Sequence, residues 1–303
     1  SFLDEQPLLN VPANGIELAY REVGDTSQPP VILIMGLGAS HVVWGDDFVA
    51  GLRDKGYRVL AFDNRDVGGS TSFEDWGQPT IWWQFLKSRL GFEVDAPYTL
   101  NDMAEDTIAL MDTLEIPQAH IVGASMGGMI AQIVAARYPD RVISLTSIMS
   151  TTGDPDLPPP TGEASTSLQD MAEGGNDEES QAEILHRGFY PAAMPRQMMA
   201  IMKTGDRSEE VATIGVPTLV IHGEQDTLLP LAHGRHTARL IEGSRIVVYP
   251  EMGHNLPEEV LPSILDEMAD HIGKPSLASG EPAPARMENE GAMPGDNLFG
   301  PVH

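Results

Sequence analysis

A serine lies in the run Gly123-Ala124-Ser125-Met126-Gly127, with Gly128 next. A serine hydroxyl attacks a carbonyl at neutral pH only when a base takes its proton. Two later segments can supply that base and the acid that orients it: Asp226 in His222-Gly223-Glu224-Gln225-Asp226, and His254 in Met252-Gly253-His254-Asn255. Ser125 as nucleophile, His254 as general base and Asp226 as the group fixing the imidazole tautomer form a set for acyl transfer. Glu224 is the nearest substitute for Asp226, and Asp154 or Asp156 a more distant one. Acyl transfer also needs donors for the oxyanion. The glycine-rich stretch Met35-Gly36-Leu37-Gly38-Ala39-Ser40 leaves an apolar run, so the backbone amides of Leu37 and Met126 are the expected pair. Around them, Gly36, His41, Trp82, Trp83, Met198 and Met202 are the expected pocket residues. His41 either lines the pocket or supports it from behind. The tryptophans form either an apolar lip or ordinary core, and the methionines line either a pocket or the core of their own segment.

The elements that must hold these residues alternate between strand and helix, the sign of a parallel α/β sheet. Residues 16–23 alternate in polarity and read as a half-exposed edge strand, whereas 31–35 are unbroken apolar sequence that suits a strand covered on both faces. Further strands are expected at 57–62, 120–124, 142–148, 217–223 and 245–249, and helices at 42–55, from Thr99 onward with Asp102 as capping partner, at 126–138, after Pro230 and at 258–271. Residues 66–97 read as irregular. Ser125 then sits between an apolar strand and a helix, the context a nucleophile elbow requires, and Asp226 and His254 follow the carboxyl ends of strands. Composition changes over residues 150–210, rich in proline, glycine and acid, with helices expected near 179–187 and 195–203 and a hinge at Gly174-Gly175 or Gly205-Asp206. The expected organisation is therefore a core over 1–149 and 211–273, an inserted cap over 150–210 and a Pro/Gly-rich tail over 274–303, of which Leu298-Phe299 are candidates to dock.

With 303 residues, 41% of them hydrophobic, the chain can bury a substantial core. Its 18 Lys+Arg against 45 Asp+Glu give a net charge of -27, which argues against binding nucleic-acid phosphates or anionic membrane surfaces. The absence of cysteine excludes disulfides, thiolate metal sites and a cysteine nucleophile. No apolar run is long enough to span a bilayer, and residues 1–6 carry no signal-peptide features, so a soluble, cytoplasmic protein is expected. His233 and His236 stand three apart without a carboxylate at matching spacing and read as a solvated helix face; His120 and His222 read as packing residues. No metal and no cofactor are expected. The expected partner is a small-molecule ester substrate, and monomer and homodimer both remain open.

Taken together, these pieces resemble the α/β-hydrolase superfamily over about residues 15–271. Asp63-Asn64-Arg65-Asp66-Val67-Gly68-Gly69-Ser70 is similar to that family's D-x-R-x-x-G-x-S loop, in which Asp63 and Arg65 are expected to tie the loop together. Within the superfamily, Ile34-Met35-Gly36-Leu37-Gly38 with Trp44, and Pro97-Tyr98-Thr99-Leu100, resemble the group of aclacinomycin methylesterase-like carboxylesterases. Met35 stands where many superfamily members have histidine, a change this group shares. The resemblance implies a mostly parallel eight-stranded sheet flanked by helices, with a small helical cap after the sixth strand. It also implies a serine carboxylesterase working through an acyl-enzyme. The same three residues would serve C–C bond hydrolysis, lactone opening or a cofactor-free perhydrolase reaction, and the fold also serves as a small-molecule receptor.

Overall fold

The computed structural model describes residues 1–173 and 177–273. The expected hinge Gly174-Gly175 and the tail from Lys274 onward lie outside them. Eight strands form one sheet: β1 Leu9–Ala13, β2 Ile16–Val23, β3 Pro30–Ile34, β4 Arg58–Phe62, β5 Ala119–Ala124, β6 Val142–Ile148, β7 Thr218–Gly223 and β8 Arg245–Tyr249. Their order is β1-β2-β4-β3-β5-β6-β7-β8, with β1 and β2 antiparallel and β3 to β8 parallel. The helices are α1 Asp46–Asp54, α2 Ile81–Arg89, α3 Leu100–Thr113, α4 Met126–Arg137, α5 Gly162–Ala172, α6 Glu178–His186, α7 Met194–Thr204, α8 Ser208–Val211, α9 Leu231–Leu240 and α10 Leu261–Ile272. None is long and apolar enough to cross a membrane.

The period-2 alternation of strand side chains divides the core in two. Ile32 and Ile34 of β3 pack with α3 and α4 on one face, whereas Val31 and Leu33 pack with α1 and α10 on the other. Both clusters are apolar because parallel central strands are covered on both sides. The Thr99 hydroxyl and the Asp102 carboxylate cap α3 reciprocally, as their spacing predicts.

Four elements differ from expectation. β2 is not the edge: β1 lies outside it, joined through Asn14 (φ 54°) and Gly15 (φ 77°). The expected helix over 42–55 breaks at Gly45 (φ 84°) into a 3-10 turn at His41–Trp44 and α1. The irregular stretch contains α2, and the inserted segment carries α5 before the two helices expected there.

The inserted segment, α5 to α8 between β6 and β7, is pinned to the core by a buried ion pair. Arg196 on α7 donates two hydrogen bonds to the Asp66 carboxylate, each of 2.8 Å, and Tyr98 donates a third, of 2.5 Å. The paired side chains are 1% and 0% exposed. Removing one partner leaves a charge buried without compensation, so Arg196→Met is expected to cost about 3–5 kcal/mol in urea unfolding. A loss below about 1 kcal/mol would show that the segment is held by other means.

Burial also sets a pH dependence. Desolvation lowers the pKa of His120 and of His222 from 6.5 to about 4, and lowers that of His233. The folded protein keeps these rings neutral while the unfolded chain protonates them near pH 6.5. Stability is therefore full above pH 6.5 and falls as pH drops from there toward 4, because the unfolded state binds more protons. Thermal midpoints between about pH 7.5 and pH 5 should fall steadily on acidification; a flat profile would contradict this.

Candidate active site

Ser125 sits at the sharp turn between β5 and α4, with φ 57° and ψ -121°. A side chain rarely adopts this left-handed backbone, and it is held here from several sides. The Ser125 amide donates to Ile148 O at 2.9 Å, and its carbonyl accepts from the Ser150 hydroxyl at 2.7 Å. The turn is possible only with minimal neighbours. A Cβ on Gly123 would lie 2.0 Å from Gly127 O, and one on Gly127 would lie 1.9 Å from Ile34 O.

The loops after β7 and β8 bring the other two residues to this turn. The backbone stitches them together, Glu224 N to Tyr249 O and Gln225 N to Met252 O, both 3.0 Å. Asp226 is fully buried; its Oδ1 accepts from Leu228 N at 3.0 Å and Leu229 N at 2.8 Å, and its Oδ2 lies 2.7 Å from His254 Nδ1. A carboxylate only accepts, so Nδ1 carries the imidazole proton and Nε2 is left as acceptor. Nε2 lies 2.9 Å from Ser125 Oγ. His222, 3.5 Å from Asp226, donates its Nε2 proton to Leu229 O at 2.7 Å, so it stays a neutral neighbour. Of the candidate acids, Asp226 is the one that meets His254: Glu224 and Asp156 are exposed, and Asp154 faces His236 at 3.6 Å.

The loop after β3 passes beside the serine, close enough that a Cβ on Gly36 would lie 3.0 Å from Ser125 Cβ and 3.5 Å from Met126 N. Among the described residues, neither the Leu37 nor the Met126 amide hydrogen has a protein acceptor. From below, Asn64 Nδ2 donates to Met35 O at 2.9 Å. From above, the side chain of Gln197 on α7 accepts from Gly38 N at 2.7 Å. Asn64, Ser150 and Gln197 escaped sequence reasoning. Asn64 lay within the recognised loop motif, but no local pattern marks the other two, because each acts on residues distant in the chain.

His41 is 2% exposed, with Nδ1 donating to Asp63 Oδ1 and Nε2 accepting from Arg21, both at 2.7 Å. Both ring nitrogens are thus engaged behind the loop, which corrects the pocket-lining reading in favour of the supporting one. Asp63 also accepts from Gly69 N at 3.0 Å, and Arg65 grips Asp106 through two bonds of 2.7 Å, which is how the loop over 63–70 is tied. Trp82 and Trp83, 69% and 48% exposed, belong to an outward-facing surface of α2 and not to the core. Met198 and Met202 are half-buried, while Met194 and Met199 are buried. His233 is not a solvated residue as expected: it is buried between the Thr151 hydroxyl and Pro158 O, each 2.7 Å away.

A mostly parallel eight-stranded sheet with a serine at a strand-to-helix turn and a histidine–aspartate pair at the same strand ends defines the α/β-hydrolase class. The family described as alpha/beta hydrolase fold matches residues 29–174. The chain has the α/β-hydrolase fold and is similar to that family over those residues. Among its relatives is the rhodomycin D methylesterase DnrP of Streptomyces peucetius, 28% identical over 280 residues, covering 78% of this chain and 88% of that protein. The rhodomycin D methylesterase DauP of Streptomyces sp. strain C5 is 27% identical over 296 residues, covering 83% and 93%. The enol-lactonase of Burkholderia xenovorans LB400 superposes with a TM-score of 0.66 at 24% identity, over 88% of this chain and all of that one, a likeness of fold alone.

Proposed function

We propose that the protein is a serine hydrolase of carboxylic esters. The observation that carries this reading is the uninterrupted hydrogen-bond chain from the buried Asp226 carboxylate through His254 to Ser125 Oγ, with links of 2.7 and 2.9 Å. In the reaction, His254 Nε2 takes the Ser125 proton as Oγ attacks the carbonyl carbon. Asp226 stabilises the imidazolium that forms. The oxyanion is received by the amides of Leu37 and Met126, the second reinforced by the positive end of α4. His254 then protonates the departing alcohol, leaving an acyl-Ser125. Water, deprotonated by the same nitrogen, releases the acid and restores the serine.

Residues 150–210 act as the cap, with Met198 and Met202 as its adaptable apolar lining. The methylesterase relatives direct the choice of alcohol: a small leaving group, with specificity on the acyl side. The test is a series of p-nitrophenyl esters from acetate to palmitate, alongside methyl esters of small and aromatic acids. The expected result is turnover of esters with a preference for short or medium acyl chains, and slower turnover of a lactone or a vinylogous diketone. Turnover of the lactone or diketone alone would move the reading to those reactions. No turnover of any of them by folded protein would point to a receptor.

A further inference from the structure

The loop that carries Leu37 is held largely by the inserted segment. Gly38 N donates to Gln197 Oε1 at 2.7 Å, and Gln197 Nε2 donates to Arg65 O at 3.1 Å. The Gln197 side chain is fully buried, at 0% exposure. The backbone joins in beside it: Tyr190 N donates to Gly38 O at 2.7 Å, Ser40 N donates to Gly188 O at 2.8 Å, and Ala39 bridges Phe189 in antiparallel fashion. Residues 38–40 and 188–190 thus form a short two-stranded ribbon, with Gln197 closing its end.

This has a consequence for the two neighbouring amides. The Leu37 and Gly38 hydrogens belong to successive peptide planes, and Gly38 stands at φ +63°, where the chain turns. With Gly38 N–H engaged by Gln197, Leu37 N–H is the one of the two without a protein acceptor among the described residues, on the loop that passes beside the serine. Without Gln197 a buried donor is orphaned, and the loop gains by rotating to find it a partner. We propose that Gln197 is a positioning residue for the oxyanion site, so that the second donor is correctly aimed only while α7 is seated on the loop. The proposal rests on the reading of Ser125 as the nucleophile. It also predicts which substrates the site serves: those that enter without lifting α7.

The test is the rate at which a fluorophosphonate labels Ser125. In that reaction Oγ bonds to phosphorus, fluoride leaves, the serine proton passes to His254 and the phosphoryl oxygen occupies the oxyanion site. Wild type is compared with Gln197→Met, which removes both bonds at nearly constant volume, and Gln197→Glu, which keeps an acceptor for Gly38. The Met variant is expected to label about 10–100 times more slowly than wild type, with KM for p-nitrophenyl acetate changed less than about threefold. The Glu variant is expected to recover most of the lost rate. A Met variant labelled at the wild-type rate would overturn the proposal, as would a Glu variant slowed as much as Met, because the acceptor for Gly38 would then not be what sets the rate. Should the Met variant not fold, Gln197→Leu, which likewise offers Gly38 no acceptor and adds no charge at this buried position, is read in its place. A wild type that does not label overturns the nucleophile reading itself, a result separate from either of these.

Discussion

Ser125→Ala is expected to lower kcat/KM for a p-nitrophenyl ester by roughly 10⁴ or more, with little change in thermal midpoint. The change is chemically narrow. Alanine keeps the Cβ beside Gly36 and can occupy the same strained backbone, while the one side-chain hydrogen bond of Ser125 among the described residues, to His254, is lost. The turn itself is held by backbone bonds to Ile148 and by Ser150, which the substitution leaves alone. What remains is the pair of free amides, so slow residual hydrolysis by bound water is expected. A loss smaller than about tenfold would place the nucleophile elsewhere.

Asp226→Asn should be nearly as damaging, for a reason that the hydrogen bonds dictate. The two backbone amides of Leu228 and Leu229 both donate to Oδ1. In the asparagine variant the carboxamide oxygen must stay with those donors, which turns the NH₂ group toward His254 Nδ1. Two donors cannot face each other, so His254 shifts its proton to Nε2. That nitrogen then donates toward Ser125 when it is required to accept. A fall in kcat on the order of 10³–10⁴ with KM nearly unchanged is expected. A drop in kcat of less than about tenfold would mean that another group orients His254, and His222, 3.5 Å from Asp226, would be the first to examine.

Much of this arrangement was legible in the sequence because it rests on local signals. The small residues around Ser125 mark a turn that excludes side chains, and the 1.9 and 2.0 Å approaches at Gly127 and Gly123 are the physical content of that pattern. Asp226 and His254 were legible because each follows an apolar strand, and strand ends converge in a parallel sheet. β1 was harder to see: only Ala13 of its five residues is buried, and Pro12 disguises it, as befits an edge strand. The Asn14-Gly15 dipeptide was nevertheless a hairpin signal. α2 escaped because its periodicity is inverted, with Gln84 buried against Asp95 while Trp82, Phe85 and Leu86 face outward. His233 departs from the expected solvated helix face because its burial comes from Thr151 and Pro158, more than seventy residues earlier in the chain. Gln197 was invisible for the same reason: its partners, Gly38 and Arg65, lie 159 and 132 residues away.

The most direct test of the account is to catch the acyl-enzyme. Wild-type protein mixed with p-nitrophenyl acetate and quenched in acid within the first turnovers would be digested and its peptides weighed. The account predicts a burst of p-nitrophenol close to one equivalent and a single acetyl group on the peptide containing Ser125, absent from the Ser125→Ala protein. Hydrolysis by wild type with no burst and no acetyl-Ser125, or with the acetyl group on another residue, would contradict it.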